Sequence, residues 1–303
     1  MATAPIEPPQ RLVSSLSGDP EGPVREWLAA LPTLVQHQLE AWELTLERVD
    51  APGGRSSLLA LVRQKDGTPA ALKFPAPGRA SVHEAAALEI WDGWGAVRLL
   101  RSDRTGGALL LERLRSAVSL RSLPEAKALL EAAGTVRRLW VPPEPGHPFD
   151  TLAERTEQAA EALRAAGALT PTAAPLVDEA CELREALPTT STEEFLLHGA
   201  FRQGKVLAGE RAPWLAIGPS PVVGERAYDL AALVLDRFED LMAGSGATAA
   251  ARRRVTKLAD SLDVDRDRLR GWTLYRAVDA GVREAARGDR RRGELLLEFA
   301  AWL

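Results

Sequence analysis

Apolar positions in the first part of the chain change between helical and strand-like spacing. Between Val24 and Val35 they recur at intervals of three or four residues, which predicts a helix over 23–39. Shorter apolar runs then predict one more helix, over 80–91, and five strands, over 42–48, 56–63, 69–74, 96–101 and 107–113. A turn at 65–67 is expected to join the second and third strands as a hairpin.

Longer helical patterns take over beyond residue 118 and predict helices over 123–140, 150–166, 172–187, 226–240, 247–261, 266–287 and 290–302. Short strand-like runs return only at 194–198, 205–209 and 214–217. Residues 1–22 are rich in proline, glycine and serine and are expected to form an irregular arm. Together the patterns predict a bilobal α+β fold, with a small β-rich N-lobe at 23–116 and a large helical C-lobe at 117–303.

Composition is that of a folded globular protein, since 46% of the 303 residues are hydrophobic and 26% are charged. The 38 basic and 42 acidic residues are well mixed, so we expect neither a nucleic-acid partner nor a polybasic membrane anchor. The single cysteine, Cys181, excludes an internal disulfide, and the four histidines show no metal-ligand spacing. Without a long apolar run or a secretory signal pattern, the chain is expected to be cytoplasmic and outside the membrane.

Five segments carry motif patterns, at 72–74 with 82–88, at 109–114, at 196–207, at 214–221 and at 223–231. The third reads Leu-Leu-His-Gly-Ala-Phe-Arg-Gln-Gly-Lys-Val-Leu, and the fifth contains Gly-Glu-Arg-Ala-Tyr-Asp-Leu-Ala. In this order they resemble the aminoglycoside phosphotransferases, most closely the streptomycin 6-phosphotransferases and hydroxyurea phosphotransferases. The resemblance implies a protein kinase-like fold, and ATP-dependent phosphoryl transfer as the family's activity.

The resemblance also assigns roles to five residues. Lys73 on a strand, paired with Glu84 on the following helix, would hold nucleotide phosphates. Glu112 lies in a segment similar to the family's hinge, where backbone groups meet an adenine ring. His198 and Asp229 match residues that steady the catalytic loop rather than react. For the lysine and glutamate alone, an ordinary surface pair stays open as the alternative.

Three positions depart from the family pattern. Where the family has the aspartate that orients and deprotonates the substrate hydroxyl, this chain has Ala200. Where it has the asparagine and the aspartate that bind magnesium, this chain has Lys205 and Gly218, which have no side-chain oxygen. On this interpretation no catalytic residue and no metal ligand is intact. The sequence therefore predicts a pseudokinase with a binding, regulatory or scaffold role.

Arg202 and Lys205 make the same loop cationic, and we expect this charge to repel polycationic aminoglycosides. Three alternatives stay open for these cations. The first is that, together with Lys73, they neutralise the phosphates of ATP or another nucleotide without magnesium. The second is that they bind another anionic ligand. The third is that they pair with nearby acids and only stabilise the site. For the whole protein, the alternatives are an active phosphotransferase that modifies a small molecule or a peptide hydroxyl through non-standard residues, and a scaffold for a protein partner.

Overall fold

The structure is a computed structural model and describes residues 6–16, 22–103, 105–168 and 171–303. The chain forms two compact units. The first contains the described residues up to Ala117 together with Leu207–Ile217, and the second contains Val118–Val206 and Gly218–Leu303. A β-sheet dominates the N-terminal part and helices dominate the C-terminal part, which confirms the predicted α+β class.

An antiparallel sheet is the centre of the first unit. The elements up to Glu112 are α1 (Gln10–Leu16), α2 (Pro23–Ala41), β1 (Thr45–Val49), β2 (Ser57–Arg63), β3 (Pro69–Pro75), α3 (Arg79–Trp91), β4 (Leu99–Asp103) and β5 (Ala108–Glu112). The strands pair in the order β1–β2–β3–β5–β4. The expected β2–β3 hairpin is confirmed, and Gly67 in its turn has a φ of 84°, a left-handed conformation that favours glycine.

Alternation along the strands separates the two faces of this sheet. Leu58, Leu72 and Leu110 point to one face, where they share a hydrophobic cluster with Leu31 and Val35 of α2. All five side chains are fully buried. Lys73 is the next residue after Leu72 in β3, so its side chain points to the opposite face of the sheet. There it meets α3, the next helix in the chain. The strand period therefore places an ionisable side chain away from the apolar cluster.

The N-terminal arm differs from the prediction. Residues 10–16 form helix α1, and its Leu12 is fully buried in the hydrophobic cluster of the first unit. The helix begins after a proline, and the carbonyl of Pro9 accepts hydrogen bonds from the backbone N–H groups of Leu12 and Val13. A helix of seven residues has too few turns for its periodicity to stand out in a segment rich in proline and serine. Residues 1–5 and 17–21 of the predicted arm lie outside the described residues.

Helices make up most of the second unit. The remaining elements of the chain are β6 (Arg115–Ser119), α4 (Glu125–Leu139), α5 (Leu152–Ala168), α6 (Ala174–Thr189), β7 (Phe195–Leu197), β8 (Val206–Ala208), β9 (Trp214–Ala216), β10 (Val222–Gly224), α7 (Arg226–Val234), α8 (Phe238–Met242), α9 (Ala247–Leu262), α10 (Arg266–Ala286) and α11 (Arg290–Ala301). Helix α10 is the central one, because it packs against α5, α6, α7 and α11. Its Trp272 is fully buried and contacts the rings of Tyr228 and Tyr275 edge-on.

The prediction of one continuous helix over 226–240 is wrong, because the structure has two helices there, α7 and α8. Arg237 immediately precedes α8 and has a φ of 54°, a left-handed conformation that interrupts the helical backbone between the two helices. The guanidinium of Arg237 donates to the carbonyls of Arg121 and Leu123, and the carboxylate of Asp236 accepts from the backbone N–H of Gln203. These contacts join residues far apart in the chain and hold the break. Strands β6 and β10 were also absent from the prediction.

Two short sheets complete the architecture. Strands β7 and β10 pair in antiparallel orientation within the second unit, with Leu196 opposite Val223. Strands β6, β8 and β9, most of whose residues belong to the first unit, form a three-stranded sheet in that order. None of the helices in the described ranges combines the length and the apolar character needed to cross a membrane.

Two leucines of helix α4 provide a matched test of this core. Leu139 is fully buried, whereas Leu130 is 72% exposed. We expect Leu139→Ala to lower the free energy of unfolding by about 2–5 kcal/mol, since it removes buried methyl groups and leaves a cavity. Leu130→Ala should change it by no more than about 0.5 kcal/mol. Urea unfolding followed by circular dichroism measures both values, and equal losses would contradict the described packing of α4.

Candidate functional site

Lys73 and Glu84 meet in the first unit. The ammonium on β3 lies 2.5 and 2.6 Å from the two carboxylate oxygens on α3. Glu84 is 3% exposed and the lysine side chain only 12%. A hydrogen-bonded pair shielded from water is more rigid than the exposed surface pair that was the alternative. The arrangement can present one positioned positive charge to an anion.

Glu112 ends strand β5, and its carboxylate is engaged within the first unit. It accepts from the backbone N–H of Arg98 at 2.7 Å and from the guanidinium of Arg211 at 2.7 Å. Arg211 also donates to the carbonyl of Ala96. Sequence reasoning missed Arg211, which follows Glu112 by 99 positions. An adenine contact at this segment would use backbone groups, because the side chain is committed to these bonds.

Asp229 of α7 organises the loop at 198–205 in the second unit. Its fully buried carboxylate accepts from the backbone N–H groups of His198 at 2.8 Å and Gly199 at 2.7 Å, and from the indole of Trp140 at 3.4 Å. Burial raises the pKa of Asp229, while the backbone donors, the indole and the nearby Arg276 charge act in the opposite direction. The carboxylate therefore serves to fix the backbone and is closed to solvent.

The loop is packed so tightly that glycine is required at one position. Gly199 has a φ of 73°, and a Cβ atom there would lie 1.9 Å from the carbonyl oxygen of Ser220. His198 is fully buried beside it, with Nδ1 accepting from the N–H of Ala200 at 3.3 Å and its ring edge-on to Phe201. Gly199 and His198 thus both have packing or hydrogen-bond contacts within the loop.

Lys205 joins the two positions where the family pattern places magnesium ligands. Its ammonium donates to the carbonyl oxygen of Gly218 at 2.7 Å. Magnesium needs several oxygen ligands in an octahedral array, whereas here a cation occupies the only oxygen that Gly218 provides. The residues present therefore do not fit a magnesium ion. In the described ranges, moreover, no group of three or more histidine, cysteine, aspartate or glutamate residues could hold a metal.

A cavity of about 580 Å³ opens beside this loop within the second unit. Its lining brings together Ala200, Arg202 and Lys205, all singled out from the sequence. Its other charged or aromatic residues are Arg155, Phe201, Tyr228, Asp236, Tyr275, Arg276, Asp279, Arg283 and Arg292. Most of these come from helices α5, α7 and α10. Apart from Phe201 and Tyr228, which lie within the motif segments, no motif marks them, because helical periodicity does not say which polar residues border a cavity.

Exchange of Asp229 for asparagine tests whether this carboxylate holds the loop. Asp229→Asn places an amide N–H₂ against a backbone N–H, so a buried donor loses its acceptor and stability should fall by about 1–3 kcal/mol. Asp178→Asn is the control, since Asp178 is exposed on α6 and should change stability by no more than about 0.5 kcal/mol. Chemical unfolding gives both values. A loss no larger than that of the control would show that the loop is held by other contacts.

Comparison with known proteins agrees with these motifs. Residues 41–288 match the family described as aminoglycoside/hydroxyurea antibiotic resistance kinase. A streptomycin 6-kinase from Streptomyces glaucescens is 34% identical over 280 residues, covering 90% of this chain and 89% of the relative. A hydroxyurea phosphotransferase from Kitasatospora aureofaciens is 36% identical over 285 residues, covering 88% of this chain and 76% of the relative.

The fold has solved counterparts. The crystal structure of aminoglycoside phosphotransferase APH(4)-Ia aligns with a TM-score of 0.59 at 15% identity, covering 89% of this chain and 97% of that one. This confirms the fold predicted from the motifs. The family match spans most of the chain, and two relatives are more than 30% identical over most of their length. The chain therefore belongs to the aminoglycoside/hydroxyurea antibiotic resistance kinase family.

Proposed function

We propose that this chain is a pseudokinase, a member of the family that binds or regulates instead of transferring phosphate. The hydrogen bond from the Lys205 ammonium to the Gly218 carbonyl is the observation that carries the proposal. It joins the two positions at which the family pattern has metal ligands, and it places a positive charge there. A bound cation would be repelled by this ammonium at close range.

The three altered positions act on different parts of the reaction. Alanine at position 200 cannot accept a proton, and loss of a positioned general base slows a reaction by about 10²–10⁴-fold. Loss of the metal is more serious, because the metal stabilises the charge that develops on the transferred phosphoryl group. With Ala200 in place of the base and with Lys205 and Gly218 in place of the metal ligands, neither the proton acceptor nor the stabilising metal is supplied. Ordinary phosphoryl transfer is therefore not the activity we assign.

The positive charge at this loop also changes the class of ligand that we expect, from cationic to anionic. Aminoglycosides are polycations, and a pocket suited to them presents acidic groups. Here Arg202 and Lys205 border the cavity next to Ala200. The names of the relatives refer to streptomycin and hydroxyurea. For this chain we propose an anionic ligand or a protein partner in place of an aminoglycoside.

One feature is shared with the second candidate, an active phosphotransferase that uses non-standard residues. Lys73 and Glu84 form the buried pair that kinases use to position nucleotide phosphates. An unused lysine of this kind would be expected to lose its partner or its burial. The same pair is also what a regulatory protein needs to bind ATP or another nucleotide without catalysis, so it does not by itself favour turnover.

Phosphate transfer from radiolabelled ATP separates these candidates. We expect the chain to transfer no more label to streptomycin, hydroxyurea or peptide hydroxyls than a Lys73→Ala variant does, because the base and the metal ligands are replaced. A preparation of the triple variant Ala200→Asp, Lys205→Asn and Gly218→Asp, which restores the family pattern, serves as the comparison. Turnover by the natural chain that Lys73→Ala abolishes would overturn the pseudokinase proposal.

Nucleotide stabilisation provides a test of the metal site itself. We expect any rise in the melting temperature that ATP produces to be the same with magnesium and with a chelator, because the ammonium of Lys205 occupies the metal position. Lys73→Ala should reduce the rise. Lys65→Ala should leave it unchanged, because Lys65 pairs with Glu43 on the exposed surface of the same unit. A rise seen only with magnesium would contradict the role given to Lys205.

A further inference from the structure

The cavity of the second unit carries an excess of positive charge. Among the residues that line it, six are cationic and two, Asp236 and Asp279, are acidic. The acids are already engaged. Asp279 pairs with Arg283 at 2.7 Å, and Asp236 accepts from the backbone N–H groups of Gln203 and Arg237. A concave, partly shielded surface with this balance concentrates anions.

Two of the cations are fixed chiefly by neutral groups. The guanidinium of Arg276 donates to the carbonyls of Gly199 at 3.3 Å and Tyr228 at 3.2 Å, and lies 4.3 Å from the centre of the Tyr228 ring. The guanidinium of Arg155 donates to the hydroxyl of Ser220 at 3.1 Å and to the carbonyl of Pro221 at 2.9 Å. Carbonyls and hydroxyls orient a guanidinium without cancelling its charge. The acid nearest to Arg155, Asp150, is 3.7 Å away.

The same loop contact brings these groups together. Gly199, which accepts from Arg276, packs against the carbonyl of Ser220, the residue that accepts from Arg155. Both guanidinium groups therefore approach one small region of backbone from different helices, α10 and α5. Ala200 and Lys205 line the same cavity as the two arginines. Where the family pattern has a carboxylate, this chain has a methyl group among positive charges.

Phosphate is the anion that this geometry suits. A carboxylate lies in one plane and is bound by a single guanidinium fork, whereas a tetrahedral phosphate accepts donors from several directions at once. Arg155 and Arg276 approach from separate helices, and each guanidinium carries five N–H donors, more than its bonds to the loop use. The pair therefore provides donors in more than one plane.

The rest of the lining suits a polyhydroxylated carrier. Burial raises the pKa of the Tyr275 phenol, so its hydroxyl stays protonated and can donate or accept. Asp236 and Asp279 are engaged as described, but each carboxylate has further lone pairs that can accept from a ligand hydroxyl, and the Tyr228 ring adds an apolar surface. A volume of about 580 Å³ lies within the range of small-molecule sites. A bare phosphate ion would leave most of this space to water.

We propose that this cavity binds a phosphate monoester of a small polyol, with Arg155 and Arg276 holding the phosphate beside Ala200. The inference rests on the proposed function, because it assigns the cavity to a ligand that is bound and released unchanged. It requires no nucleotide and no metal. The protein would then act as a receptor for a phosphorylated small molecule.

Titration calorimetry with glucose 6-phosphate, in a chelator-containing buffer free of phosphate and sulfate, tests the proposal. We expect saturable binding that is at least tenfold tighter than that of glucose or of inorganic phosphate. Arg276→Gln should weaken it at least tenfold. Arg287→Gln removes the same charge just beyond the end of the same helix, where the side chain is 70% exposed, and should leave the dissociation constant within twofold.

A second variant covers the case in which Arg276→Gln does not fold. Ala200→Asp keeps both arginines and adds the acid of the family pattern, so it should fold and repel the phosphate, weakening binding at least tenfold. Equal affinity for glucose 6-phosphate and glucose, equal affinity for the ester and inorganic phosphate, or no binding at all would overturn the proposal. If phosphate transfer from ATP is also absent, the pseudokinase proposal stands although this inference fails. Transfer from ATP would overturn the pseudokinase proposal instead.

Discussion

The buried carboxylate of Asp229 is the contact on which the second unit's loop depends. Two backbone N–H groups of the loop and one indole N–H converge on it, in a place where water is excluded. A buried carboxylate of this kind is stable only when its oxygens are fully hydrogen-bonded. The loop and the carboxylate therefore stabilise each other. The tight packing of Gly199 against Ser220 then fixes the adjoining segment.

This framework does not use the side chains at positions 200, 205 and 218, so the change of chemistry that we propose leaves the contacts of the loop in place. Ala200, Lys205 and Gly218 contribute little to the contacts around Asp229. Lys205 adds a contact of its own, between the loop and the segment that precedes Ser220. The replacement of two aspartates by Ala200 and Gly218 and of an asparagine by Lys205 would therefore remove ligands without removing the support of the loop. In the first unit, Lys73 and Glu84 keep a kinase-like pair in the same way.

Reversal of charge has a stronger effect than loss of a base. In the pseudokinase that we propose, the missing base would lower a rate, whereas an ammonium in place of metal ligands would exclude the ion that the transferred phosphate needs. The arginines of the cavity add positive charge beyond this loop. Because backbone carbonyls orient them, they are prepared for an anion before it arrives, which reduces the entropy lost on binding.

Much of the fold could be predicted from the sequence alone. Short apolar runs placed β2, β3 and β5, and ordered motifs identified the family together with Ala200, Lys205 and Gly218. Local patterns could not predict the break at Arg237, the helix around Leu12, or the approach of Arg155 and Arg276 to one stretch of backbone. Those features depend on contacts between residues far apart in the chain. The sequence by itself determined which chemical groups are present and which elements carry them. Only the tertiary structure decided which charges share a cavity, because helical spacing defines a face but not what that face meets.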